Sequence, residues 1–167
     1  MKKILGIVFA VVTALGIGGC SSESKKDESK SYNISEPTKI FSVSDYSYTL
    51  GGKPAVSIMF GPSKTTFINL TILKQDLKEG SVIDSTKGNV SKKISISFLL
   101  EGVSFTLRGK VPASYVKLKI ESLDRTKQEA IISIDAKLFT DNGGSSVDIK
   151  NKIVLSGENF INLMKQI

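Results

Sequence analysis

The chain has 167 residues, enough for one domain, and at this size folding buries roughly two thirds of the unfolded surface. Its formal charge is +7, with no histidine and one cysteine, so an internal disulfide is excluded and the commonest general base and transition-metal ligand is missing. From Tyr32 onward there are 18 basic and 13 acidic residues, a moderate excess that favours anionic surfaces without selecting one.

Met1-Lys2-Lys3 is followed by sixteen uncharged residues, Ile4 to Gly19. A positive start, an apolar middle and small residues before a cut are the layout of a secretory signal. The run is shorter than the roughly twenty apolar residues of a membrane span, and its end is rich in glycine. Ile17-Gly18-Gly19-Cys20 resembles the lipobox of bacterial lipoproteins, an aliphatic residue and two small ones before the cysteine that becomes residue one of the mature protein.

That resemblance covers about the first twenty residues. It implies that residues 1–19 are removed, that the signal peptidase reads Ile17, Gly18 and Gly19, and that Cys20 is joined to diacylglycerol and usually acylated at its new amino group. The implied partner is a lipid bilayer and the implied location the cell membrane, facing the periplasm or exterior. Ser21, not being Asp, implies the outer membrane in a Gram-negative host. One acyl chain binds a bilayer only marginally, whereas two or three anchor it stably. The alternatives are an ordinary secretory signal with a nearby cysteine, or a signal anchor left uncut.

Residues 20–35 read as a polar tether. Ser21 to Ser31, SSESKKDESKS, holds only Ser, Lys, Glu and Asp, and a stretch with no apolar side chain cannot offset its ordering entropy by burial. As a flexible coil it spans about 18 Å.

Residues 36–167 carry the period-two alternation of half-buried strands. Strands are predicted at 40–50, 55–60, 65–73, 92–100, 103–109, 114–123, 129–140 and 145–155. About eight strands with one dry face each predict an all-β domain, an antiparallel sandwich or barrel. Asn142-Gly143 suits a two-residue type I′ hairpin turn. Centring the loop there pairs Leu138 with Val147, Ala136 with Ile149 and Ile132 with Ile153, and on the other face Lys137 with Asp148 and Asp135 with Lys150. A second hairpin around Glu101-Gly102 pairs Leu100 with Val103, Phe98 with Phe105 and Ile96 with Leu107. The loop Asp124 to Gln128 completes a three-stranded C-terminal meander. Phe160, Leu163, Met164 and Ile167 have helical spacing, which predicts a short closing helix, with a final edge strand as the alternative.

Lys117, Lys119, Lys150 and Lys152 fall on the solvent face of that meander, flanking the strand that carries Asp135. They form a candidate basic face for an envelope protein or an anionic glycan or lipid; the competing reading is a solvated face with cross-strand ion pairs and edge lysines. Nucleic acid is not expected, since the signal-like start implies an exported protein. Ile131, Phe139 and Val154 share the face and are to be covered by the C-terminal segment or by a partner.

Gly61-Pro62-Ser63-Lys64-Thr65-Thr66 lacks the glycine spacing of a phosphate loop and reads as a turn. Asp141-Asn142-Gly143-Gly144 lacks the alternating ligands of a calcium loop. The sequons at Asn33, Asn69 and Asn89 carry no weight in a bacterial lipoprotein. No spacing singles out a Ser/Lys or carboxylate pair for catalysis, so no enzyme, no cofactor and no metal are expected. The predicted function is a membrane-anchored, non-enzymatic structural or partner-binding module. The rivals are a carrier with an apolar cavity lined by Phe98, Phe105, Ile120 and Ile134, and an inhibitor or immunity-type protein forming a stoichiometric complex.

Overall fold

A computed structural model of the chain describes residues 31–34, 39–46, 49–87, 93–107 and 114–167. The lipobox residues Ile17, Gly18, Gly19 and Cys20 lie outside them, as does the sequon at Asn89. Among the described residues, no helix is long and apolar enough to cross a membrane.

The protein is all-β and mostly antiparallel, with one short C-terminal helix. In chain order the elements are β1 (Ser31–Ile34), β2 (Lys39–Asp45), β3 (Ala55–Ser63), β4 (Thr66–Leu73), β5 (Val82–Asp84), β6 (Ile94–Leu100), β7 (Val103–Thr106), β8 (Tyr115–Asp124), β9 (Glu129–Phe139), β10 (Ser146–Ser156) and α1 (Gly157–Met164). Hydrogen bonding runs β1-β10-β9-β7-β6-β4-β3-β2, with β8 on the second side of β9 and β5 on β8. Among the described residues, one pair, Thr106 with Phe139, joins β7 to β9. The strands therefore divide there into two layers, β5-β8-β9-β10-β1 and β7-β6-β4-β3-β2, and the sheet does not close into a barrel.

Strands β2 to β10 each turn a face inward, as the alternation requires. Ile58, Phe60, Ile68, Leu70, Ile96, Phe98 and Phe105 of one layer join Val116, Leu118, Ile120, Ile132, Ile134, Leu138, Ile149 and Ile153 of the other in one continuous core. Phe98 and Phe105 meet across their hairpin with ring centroids 5.8 Å apart. A second, small cluster of Leu50, Ala55 and Leu73 lies under Tyr46.

All eight predicted strands form, and two short ones are added. β1 lies within the segment read as tether and pairs parallel to β10, Ser31 with Ser146 through Ile34 with Ile149, so the sheet begins before residue 36. The open edge of β10 supplies the unpaired backbone groups that a Tyr-Asn-Ile segment can satisfy. β5 has three residues, too few for a period to show. The predicted strand 40–50 stops at Asp45, and Leu50 pairs with Lys53 across Gly51-Gly52, whose φ values are 58° and 82°.

The hairpin registers are as predicted. β9 and β10 pair Leu138 with Val147, Asp135 with Lys150 and Ile132 with Ile153, and β6 and β7 pair Leu100 with Val103 and Phe98 with Phe105. Glu101 (φ 46°) and Gly102 (φ 90°) both adopt the left-handed conformation of a type I′ turn. The β9–β10 loop differs from expectation. Gly143 N donates to Thr140 O at 2.9 Å and Thr140 N to Ser145 O at 3.0 Å, so it is the four-residue loop 141–144 in which only Gly143 has positive φ. Of the predicted strand 103–109, β7 covers 103–106 and residues 108–109 lie outside the described residues; Ile96 and Leu107 do not form a ladder pair.

α1 starts three residues before the predicted helical run and packs against β2, β9 and β10. It buries Phe160 and Leu163 and spans both layers at one end of the sandwich. It leaves Val154 46 % exposed, while Ile131 and Phe139 are half-buried.

Candidate functional site

β9 lies between β8 and β10, so its outward residues meet a partner on each side. Asp135 pairs with Lys117 on β8 and Lys150 on β10, and Ser133 pairs with Lys119 and Lys152. The edge strand β5 extends these rows, placing Val82 beside Lys119 and Asp84 beside Lys117. All four predicted lysines thus come together, and with Val82, Ser133 and Asp135 they line one open groove of about 560 Å³. The short side chains of the central strand make the floor, and the lysines make the walls.

The lysines differ in their surroundings. Lys152 Nζ lies 2.7 Å from Glu121 Oε2, and Lys117 Nζ sits 5.7 Å from the Tyr115 ring centroid, within cation–π range. Among the described residues, no carboxylate lies within ion-pairing distance of Lys117, Lys119 or Lys150. Tyr115 Oη donates to Asp135 Oδ1 at 2.8 Å. That hydrogen bond, with partial burial and the negative charges of Asp135 and Asp148, pushes the Tyr115 phenol above its ordinary value.

Glu121 is, with Tyr115 and Val82, a residue of the site that sequence reasoning missed. The ladder pairs Ile120 with Ile132 but Ser122 with Ile131, so Glu121 is the extra residue of a β-bulge. Its carboxylate accepts from Ser133 Oγ at 2.6 Å and holds Lys152. The signal was present as a slip of phase: Val116, Leu118 and Ile120 point inward, and the next inward residue is Leu123, an odd step that a plain strand cannot make.

The bonds from Lys152 and Ser133, with the charges of Lys152 and Lys119, hold the Glu121 carboxyl below its ordinary 4.5. Thr86 does the same for Asp84, and Lys127 followed by Thr126 for Asp124. Each is depressed in the folded state, so its stabilisation is present above the unfolded value and lost as pH falls through the folded one. The thermal midpoint is expected to hold from neutral pH down to about 4.5 and to decline below it, with a shallower decline in Glu121→Gln. A pH series of thermal melts in which the two proteins fall in parallel contradicts this.

The other sequence features resolve locally. Ser63 Oγ accepts from Thr66 N at 3.1 Å and closes a turn of Lys64-Thr65 alone, since Gly61–Ser63 end β3 and Thr66 begins β4, so the predicted turn is shorter than 61–66. Asn142 Oδ1 accepts from Thr140 Oγ1 at 2.7 Å and Gly144 N at 3.0 Å within the hairpin loop. Asn69 Oδ1 accepts from Ser57 Oγ at 2.6 Å. Among the described residues, no group of three or more His, Cys, Asp or Glu is placed to hold a metal ion. Phe98, Phe105, Ile120 and Ile134 are at most 2 % exposed and belong to the packed core. No protein-family model, curated protein or solved structure matches this chain.

Proposed function

We propose that this chain is an envelope lipoprotein, held at a bilayer by an acylated Cys20, whose β-sandwich is a non-enzymatic partner-binding module facing the periplasm or exterior. The likeness of Ile17-Gly18-Gly19-Cys20 to a lipobox supports the anchor. The binding role rests on one observation, the convergence of Lys117, Lys119, Lys150 and Lys152 on a single groove. Four ammonium groups around one concave floor favour an anionic partner, because their mutual repulsion falls when a negative charge enters. β1 runs parallel to β10 with Ser31 beside Ser146, so the chain joins the sandwich at the hairpin-loop end, opposite α1.

Two measurements on the full chain test the reading. A clickable fatty acid fed to producing cells is expected to label the wild type and not Cys20→Ala; equal label in both ends the lipoprotein reading. Crosslinking in intact cells is expected to recover a partner that is lost when the four groove lysines are changed to glutamine. Recovery that is indifferent to those changes removes the groove as the binding surface.

A further inference from the structure

Building on that reading of the domain as a binding module, we infer that the groove across β5, β8, β9 and β10 takes an acidic oligosaccharide, a short run of sugars bearing carboxylates. The placement of its charges carries the inference. Neighbouring strands are about 4.8 Å apart and same-face residues along a strand about 6.7 Å apart. The four lysines therefore root at the corners of a rectangle of about 7 by 10 Å, and Ser133 and Asp135 lie along its midline between them. Cations stand at the rim, and a hydroxyl and a carboxylate occupy the centre.

A ligand that is anionic throughout, such as a phosphate or a diphosphate, sets its charge against Asp135. A sugar acid does not, because its carboxylates are separated by hydroxyl-bearing carbons. Those hydroxyls can donate to the Asp135 carboxylate, whose Oδ1 already accepts from Tyr115, while the acid groups reach Lys119 and Lys150, which, like Lys117, have no carboxylate at ion-pairing distance among the described residues. Charge-assisted bonds of this kind are the stronger class of hydrogen bond. Val82, 64 % exposed on the edge strand and lining the groove, offers an apolar lip for the C–H face of a sugar ring. The volume of about 560 Å³ lies within the roughly 300–1,000 Å³ of small-ligand sites. A lipid surface fits less well, since a plane of headgroups does not reach the floor of a concavity.

The test is calorimetric titration of the full-length protein, in detergent, with tetragalacturonate. Maltotetraose, pyrophosphate and phosphatidylglycerol vesicles serve as the neutral, charge-only and bilayer comparisons. Tetragalacturonate is expected to bind more tightly than the other three. Lys119→Gln/Lys150→Gln is expected to weaken it about tenfold or more, as for loss of charged hydrogen bonds, and Lys39→Gln, on the other layer, to leave it unchanged. The urea midpoints of both variants, whose substituted residues are exposed, check that they fold. Absence of tetragalacturonate binding, equal or tighter binding of pyrophosphate or vesicles, or indifference to the double substitution overturns the inference. Fatty-acid labelling of Cys20 and crosslinking through the groove are read separately, so the ligand class can fail while the anchored-module reading stands.

Discussion

Replacing Phe98 with alanine is expected to lower the stability of the domain by about 3–5 kcal/mol, the usual cost of emptying a buried aromatic site. Phe98 is 1 % exposed, is paired on one side with Ile68 of β4 and on the other with Phe105 of β7, and contributes its ring to the contact with Phe105. The strands flanking it are fixed by their own ladders, so they cannot close over the space, and the cavity term adds to the lost transfer free energy. Domains of this kind have about 5–15 kcal/mol in total, so the substitution removes a large share. With a denaturant slope of about 2 kcal/mol/M, the urea midpoint drops by about 2 M. Phe98→Leu retains most of the volume and is expected to lose about 1 kcal/mol. It remains measurable should the alanine variant fail to fold. A midpoint within about 0.5 M of wild type for Phe98→Ala contradicts close packing at this site.

A comparable loss is expected from Gly61→Ala, for a different reason. Gly61 lies where β3 and β4 slip register between Phe60 and Ser63. A Cβ there falls 2.5 Å from Thr66 O and 2.6 Å from Phe67 Cα, distances that no rotamer change can relieve because both neighbours are backbone. The strands must part, at a cost of about 3 kcal/mol or more. Gly52 provides the comparison. Its φ is +82° but nothing lies within 4 Å of a Cβ built on it, so Gly52→Ala bears only left-handed backbone strain of about 1 kcal/mol. Denaturation is expected to rank Gly61→Ala well below Gly52→Ala, and the reverse order contradicts a close backbone approach at Gly61.

The candidate groove was legible in part. Lys117-Leu118-Lys119 and Lys150-Asn151-Lys152 alternate with inward residues, so membership of one face follows from period two, and the Asn142-Gly143 centre puts Asp135 opposite Lys150. The loop turned out to be four residues rather than two, yet the register survived because both loops are centred between Asn142 and Gly143. Tyr115, Glu121 and Val82 were not legible as parts of the site. Alternation cannot say which of Glu121 and Ser122 is the bulged residue, and three residues of β5 carry too little pattern to announce a strand.

The amino-acid sequence by itself determined the all-β class, the dry face of each long strand and the registers of the two tight hairpins. Those depend on backbone geometry within a few residues of a turn and on burial of one face, both written locally. Only the tertiary structure decided that β1 pairs parallel to β10, that β5 edges β8, and that Thr106 pairs with Phe139 where the layers join. An edge strand satisfies its backbone wherever a free edge exists, and the edge chosen depends on how the whole core packs.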